Sequence, residues 1–303
     1  MPRLRPMTLL EPFRALFYAP FYLAEALGAF AEQGVEVRLV DAGGTDEAAR
    51  KLLAGEADLA WSGPMRPMLM RSQDPSCPLK SFCAVVMRDP FLLLGMASRP
   101  GFRLADLATQ RLGLVAEVPT PVWCLQGDLA AAGLATTLPL ASRGPSMAEN
   151  VEALADGRLD LAQLFEPFAC RAEDAGGQVI HAQANRGLTA YTAFYATEAG
   201  IAARREELKA MIRAMDRALR YLRAAPAAEV AAHLAPRFAD VPASHRTRAI
   251  ARYQALDLWG EGPRFPRAAL ERLAQAMIAA GAMTAMPPFE ACVDNAIVEE
   301  ALA

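Results

Sequence analysis

Along the first two thirds of the chain, apolar positions switch repeatedly between a period of two and a period near 3.6, the spacings of strands and helices. "MTLLEPFRALF" (residues 7–17) reads as a strand region, and "PFYLAEALGAFAEQG" (20–34) follows with helical spacing, Pro near its start and Gly at its end. "VEVRLVDA" alternates as a strand. "GGTDEAARKLLAG" predicts a helix with Thr45 as N-cap and a stop at Gly55, and "ADLAW" is a short buried strand. The order restarts after Arg99: strand "RLGLV", helix "TPVWCLQGDLAAAG", strand near "TTLPL", helix "SMAENVEALADG", strand "LDLAQL" and a further helix from Glu166. Two strand-like runs, residues 81–87 and 91–97, flank "RDP" between these units. Beyond Ile201 the spacing is helical almost throughout, which predicts a helical C-terminal layer.

One phrase occurs twice. "LLAGEADLAWSGP" begins at Leu52 and "LADGRLDLAQLFEP" at Leu154, and a shift of 102 positions aligns Leu52, Gly55, Asp58, Leu59 and Ala60 with Leu154, Gly157, Asp160, Leu161 and Ala162. Each copy is a helix, a Gly stop and a strand. Helix-Gly-strand grammar recurs in any α/β protein, but here the identities fall inside a matching order of elements, which favours two similarly built α/β lobes. In such sheets ligands sit beyond the carboxyl ends of strands. There the copies diverge into "WSGP" and "LFEP", so each lobe offers its own groups to one shared cleft.

At 303 residues with 53% hydrophobic composition, the chain can bury one large or two ordinary cores without staples, and two domains is the better reading. The 31 basic and 34 acidic residues are spread evenly, which argues against nucleic acid as a partner. The longest apolar runs, such as residues 91–97, are far shorter than the roughly 20 residues a membrane span needs. "MPRLRP" carries the charge of a signal peptide, but Glu11 and Arg14 interrupt any apolar stretch, so the chain as written reads as cytoplasmic. Five scattered cysteines without a C-x-x-C argue against a disulfide framework or zinc site and read as thiols of a reducing compartment. Lysine occurs only at Lys51, Lys80 and Lys209, which limits Schiff-base chemistry to three positions. The glycines form neither a P-loop nor a dinucleotide fingerprint.

"APFYLAEALGAFAEQGVEVRLV", "LLAGEADLAWSGP", "RLGLVAEVPTP" and "ALADGRLDLAQLFEP" together resemble, in order and spacing, the solute-binding proteins of the nitrate, sulfonate/taurine and thiamine-precursor ABC importers. The resemblance implies the type II periplasmic-binding (Venus-flytrap) fold, an α/β architecture of two lobes that close over a ligand. Lobe 1 would comprise residues 1–88 and 195–303, with the C-terminal helices packed on it. Lobe 2 would comprise 89–194, with crossovers near 87–91 and 188–195. It further implies a small-molecule ligand, an ABC permease as partner, no cofactor, and a periplasmic location if the start of the chain is incomplete.

Enzymes share that fold. A pyrimidine synthase of the yeast type holds pyridoxal phosphate on a lysine where this chain has Trp61, and its cysteine-rich stretch is here "AYTAFYA". An aromatic sulfinate desulfinase has a cysteine nucleophile in its first loop, here "FYAPFY". The match fails in both, leaving an enzyme of thiamine-pyrimidine or menaquinone-type metabolism, or a cytoplasmic ligand sensor, as alternatives to a binding protein. His233 and His245 read as ordinary helix residues, while His181 ends a strand of the second lobe.

Positions at strand ends supply the candidate ligand-binding residues: Tyr18, the turn Gly43, Gly44 and Thr45, then Trp61 and Ser62, all from the first lobe. Arg88 belongs to the first crossover, Glu117, Thr120 and Glu166 to the second lobe, and Tyr191 and Thr192 to the second crossover. A nitrate or sulfonate site draws on N–H groups of a helix N-terminus, but in "EVPTPVW" Pro119 and Pro121 lack an N–H and Glu117 adds negative charge. Tyr18, Trp61 and Tyr191 offer π-faces, and Glu117 and Glu166 accept hydrogen bonds. The sequence therefore predicts a neutral-to-cationic heteroaromatic or amine ligand, such as a pyrimidine precursor of thiamine.

Overall fold

The computed structural model describes residues 5–144 and 146–303, so the first part of the basic N-terminal stretch lies outside the described residues. Among the described residues, ten strands form two five-stranded sheets. β1 (Met7–Glu11), β2 (Val37–Asp41), β3 (Leu59–Ser62) and β4 (Leu79–Val86) belong to the first. β5 (Leu92–Gly95), β6 (Leu112–Leu114), β7 (Ala141–Arg143), β8 (Leu161–Leu164) and β9 (Gln178–Ala182) form the second, and β10 (Thr192–Thr197) returns to the first. The orders are β2-β1-β3-β10-β4 and β7-β6-β8-β5-β9. In each, parallel pairs built by helical crossovers surround one antiparallel strand, β10 or β5, contributed by the segment that has just crossed from the other sheet.

The repeated phrase marks equivalent places in the two sheets. β3 and β8 occupy the same slot, and the register shift between them, from Leu59 to Leu161, is the 102 positions of the sequence echo. Gly55 and Gly157 end the preceding helices at φ 74° and 70°, left-handed values that a side chain with a Cβ adopts at a cost. The repeated aspartate serves the backbone beside it. Asp58 accepts from the Thr8 N–H at 2.7 Å, and Asp160 accepts from the Arg111 N–H at 2.8 Å. In both lobes this carboxylate ties the start of one strand to the start of its parallel neighbour.

Local chemistry altered several boundaries. The strand region at 7–17 is a strand only to Glu11, because Pro12 cannot donate to a ladder; a 3₁₀ turn, Leu16–Tyr18, follows. The helix expected over 20–34 is two pieces, Ala19–Ala26 and Ala29–Glu32, separated at Gly28. "TTLPL" is a loop; the edge strand β7 comes just after it, past Pro139.

The C-terminal layer straddles both lobes instead of packing on the first alone. Helix Arg205–Ala224 lies against helix Ala19–Ala26 of the first lobe and buries Leu208, Met211, Met215 and Leu219. Helix Arg267–Ala279 instead runs along Thr120–Ala131 of the second lobe. Their contact is close enough that a Cβ at Gly127 would lie 2.7 Å from the Ala276 Cβ, so only glycine fits at that crossing. Between them, helix Ala243–Ala255 touches both lobes.

The chain passes between the sheets at residues 87–91 and 183–191, and a buried ion pair joins the two passages. Asp89, fully buried, pairs with Arg186, whose guanidinium also pairs with Asp128 of helix Thr120–Ala131. Asp89 also accepts from the Phe91 N–H at 2.9 Å and from Gln183 Nε2 at 3.1 Å. Burial pushes the Asp89 carboxyl above its usual range, against the opposing pull of Arg186.

All five cysteines are buried and unpaired, and burial pushes the Cys124 thiol up to about 12 and the Cys292 thiol up to about 11. A thiol reagent at neutral pH is therefore expected to react slowly with the native protein and to titrate all five thiols in the denatured, unreduced chain. Two or more blocked thiols after denaturation would contradict the reducing-compartment reading.

Candidate functional site

Between the lobes lies a small inner cavity of about 30 Å³. The first lobe lines it with Phe13, Phe17, Tyr18, Thr45, Ser62, Gly63 and Met65, the second with Phe91, Val118, Pro119 and Thr120, and the second crossover with Tyr191. None of these side chains is charged. The cavity shares Phe13, Thr45 and Val118 with a wider mouth of about 410 Å³. There Gly43 and Gly44 face Phe165 and Phe168, with Glu117 and Met147 beside them. The cleft thus runs from a narrow hydroxyl-bearing end to an apolar, aromatic mouth.

Its inner end holds polar atoms that the fold leaves unsatisfied. The Ser62 and Tyr191 hydroxyls are buried with no hydrogen-bond partner, as is the Trp61 indole N–H behind them. The Tyr18 hydroxyl faces Thr192, whose Oγ1 is likewise left without a partner of proper geometry. Most buried polar atoms find a partner within the protein, because an unsatisfied one costs roughly 1–3 kcal/mol. Of these orphans, the Ser62 and Tyr191 hydroxyls belong to residues that line the cavity itself. Burial raises the Tyr18 and Tyr191 phenols, so both remain protonated and able to donate near neutral pH.

The elements explain how the groups converge. Ser62 ends β3, which is paired with β10 through Ser62–Ala193 and Trp61–Phe194, so the end of β3 and the start of β10 are side by side. Thr45 and Thr120 open the helices Thr45–Leu53 and Thr120–Ala131, one from each lobe. The cap of the former is Gly44, not Thr45, at φ 129°. Of the residues singled out in the sequence, the structure brings Tyr18, Thr45, Ser62, Thr120 and Tyr191 to the inner cavity and Gly43, Gly44 and Glu117 to the mouth.

Others lie elsewhere. Trp61 is 1% exposed; Phe21 stacks on it at 4.5 Å and 7°, and Tyr18 and Tyr22 close its edges, so it offers no face to a ligand. Arg88 turns to the C-terminal layer, where it pairs with Asp257 at 3.3 Å. Glu166 is fully buried away from the cleft: one oxygen pairs with Arg252 and the other accepts from the Cys170 N–H at 3.0 Å. A carboxylate just past a strand end suggested a ligand acceptor, but the C-terminal layer packs there and uses it. Glu117 stays at the mouth, with its oxygens accepting from the Met147 and Ala116 N–H groups at 2.8 and 3.2 Å. His181 packs beside Phe102, and burial lowers its pKa.

Sequence reasoning missed Phe13, Phe17, Phe165 and Phe168. Each follows a strand's carboxyl end, and that position was the available signal. The Phe17 and Phe165 rings meet edge to face across the cleft at 5.3 Å. No cysteine, histidine or lysine lines the cavity or its mouth among the described residues. Lys51, Lys80 and Lys209 are held by the Ala42 carbonyl, Glu198 and Glu206.

Comparison with known proteins agrees with this architecture. The putative binding protein YtlA of Bacillus subtilis (strain 168) is 23% identical, with 96% of this chain and 88% of that protein covered. The periplasmic sulfonate-binding protein SsuA of a putative sulfonate ABC transporter from Methylobacillus flagellatus KT superposes with a TM-score of 0.75 at 14% identity, covering 99% and 94% of the two chains. The desulfurization enzyme DSZB superposes with a TM-score of 0.67 at 14% identity over 98% of each chain. The fold is therefore the two-lobed periplasmic-binding-protein fold, which houses binders and an enzyme alike. A model of the NMT1/THI5-like family matches residues 17–229, more than two thirds of the chain, and the chain belongs to that family.

Proposed function

We propose that the protein is the solute-binding component of an ABC-type importer, and that its solute is a small neutral-to-cationic heteroaromatic or amine, such as a pyrimidine precursor of thiamine. The observation that carries this reading is the uncharged interlobe cavity with its orphan Ser62 and Tyr191 hydroxyls, opening onto aromatic walls. Hydroxyls both donate and accept, which suits ring nitrogens and amino groups. The phenylalanines of the mouth suit a flat ring. A sulfonate would call for a cation or several N–H donors; the cavity lining supplies no cation, and Pro119 and Pro121 remove N–H donors from one of the two helix starts that reach it. With Glu166 engaged elsewhere, Glu117 is the one carboxylate at the mouth among the described residues, and it favours a neutral or positive solute.

An inner cavity of about 30 Å³ admits about one water, whereas organic ligands occupy roughly 300–1,000 Å³. Reaching the inner hydroxyls therefore requires the lobes to part, and contacts made by both lobes then draw the equilibrium toward closure. A lining built from phenylalanines and hydroxyls, without cysteine, histidine or lysine among the described residues, favours capture over chemistry.

Calorimetry with an aminopyrimidine precursor of thiamine, an aromatic amine and taurine tests the reading. The first two are expected to bind and taurine not to. Tight taurine binding would overturn the ligand class, and conversion of any of the three on incubation would favour an enzyme. A broad thermal-shift screen in which no solute raises the melting temperature would remove the binding reading altogether.

A further inference from the structure

Helix Ala243–Ala255 is carried by the first lobe. It rests on helix Ala227–Leu234 and on the turn Leu16–Tyr18. Its Tyr253 ring meets Trp259 at 5.9 Å, and the Trp259 indole donates to the Phe17 carbonyl at 2.8 Å. Yet the opposite face of the same helix is engaged with the second lobe. Residues 245, 248 and 252, spaced by three and four, share one stripe. Arg252 pairs with Glu166 and, at 2.6 Å, with Glu173. Arg248 pairs with Glu173 and Asp174, both at 2.6 Å, and His245 Nε2 lies 2.5 Å from Asp174. The Glu166 N–H also donates to the Tyr253 hydroxyl at 3.0 Å.

We propose that this helix is an interlobe latch. Its His245, Arg248 and Arg252 side chains, anchored in one lobe, close onto Glu166, Glu173 and Asp174 of the other, so that the two arginine ion-pair sets and the His245 hydrogen bond set the opening equilibrium. The latch acts on the cleft through the chain itself: Glu166 sits between Phe165 and Phe168, which form the second lobe's wall of the mouth. Arg252 and Tyr253 are thus positioning residues for that wall. On this proposal, parting the lobes breaks the pairs and uncovers Glu166, which is fully buried where the lobes meet. Exposed members of the network respond to salt, so opening becomes easier as ionic strength rises.

The test needs no solute. Leu53 in the first lobe and Leu140 in the second are 44% and 51% exposed, and the native thiols are buried, so spin labels on Leu53→Cys and Leu140→Cys report the interlobe distance selectively. Without solute, wild-type protein is expected to show a short distance at low salt, with a longer one gaining as NaCl increases. Arg252→Gln is expected to raise the open-to-closed ratio roughly 10- to 100-fold. Arg248→Gln, at the exposed rim, is expected to raise it about two- to five-fold and to keep its fold should Arg252→Gln lose it. Arg103→Gln, which breaks an exposed pair within the second lobe, should leave the distances unchanged. Distances in folded Arg252→Gln or Arg248→Gln that match wild type across the salt range would overturn the latch. A salt-dependent shift in a protein that binds no solute would retain the latch while removing the binding reading.

Discussion

Replacing Arg186 with methionine is expected to destabilise the protein by about 3–5 kcal/mol at pH 7, because it strands the fully buried Asp89 without its partner. The pH dependence separates this cause from simple loss of packing. In the native protein the Asp89 carboxyl already lies above its ordinary range, since desolvation outweighs the attraction of Arg186. A carboxyl raised on folding contributes most when protonated, and stability falls as pH rises from the unfolded pKa toward the folded one. Removing Arg186 deletes an opposing effect and raises Asp89 further, extending that window upward. The penalty of Arg186→Met should therefore shrink toward pH 4 and grow toward pH 7, by about 1.4 kcal/mol for each unit of added shift. Urea denaturation across that range measures it. Adding Asp89→Asn should recover part of the loss at pH 7. A penalty that stays constant with pH, or a double variant no better than the single one, would mean that Asp89 does not carry the effect.

This ion pair also marks how far the sequence could be read. Arg88 and Asp89 are adjacent in the first crossover, yet they take different partners, Arg88 pairing with Asp257. The partner of Asp89 is 97 residues away, on the other passage between the lobes. Periodicity reports which face a residue takes within its own element; it carries no signal for which distant loop arrives opposite. For that reason the matching succession of strands and helices in the two lobes was legible, through the echo of Asp58 at Asp160 and the matching glycine stops, while the placement of the C-terminal layer was not. An amphipathic helix such as Ala243–Ala255 shows that it packs, but not that its charged stripe meets a second lobe. The same gap explains Glu166. Its place after a strand end was read correctly, and Arg252, from a helix that sequence reasoning assigned to the first lobe, together with the Cys170 N–H, engages its carboxylate away from the cleft. Trp61 fails for another reason: the phenylalanine that covers it, Phe21, belongs to a helix whose buried face was recognisable but whose ring orientation was not.

The inner cavity leads to an expectation with opposite signs for stability and binding. The double variant Ser62→Ala and Tyr191→Phe removes two buried hydroxyls that have no protein partner. An unsatisfied buried hydroxyl costs about 1–3 kcal/mol, so its removal should leave the solute-free protein as stable as wild type or more stable, by up to about 2 kcal/mol. The same hydroxyls are the groups assigned to the solute in the proposed reading. Two neutral hydrogen bonds at about 0.5–1.5 kcal/mol each make the expected loss of affinity roughly 10- to 100-fold. Tyr253→Phe supplies the contrast, because that buried hydroxyl accepts the Glu166 N–H at 3.0 Å. Its removal leaves a buried donor unpaired, which should cost about 1–3 kcal/mol of stability. Urea denaturation of the solute-free proteins, with calorimetry on the aminopyrimidine, reads both quantities. Should the double variant lose as much stability as Tyr253→Phe, Ser62 and Tyr191 are serving the fold. Unchanged affinity in a stable double variant would place the solute elsewhere, because a solute seated in the inner cavity would lie against these two hydroxyls.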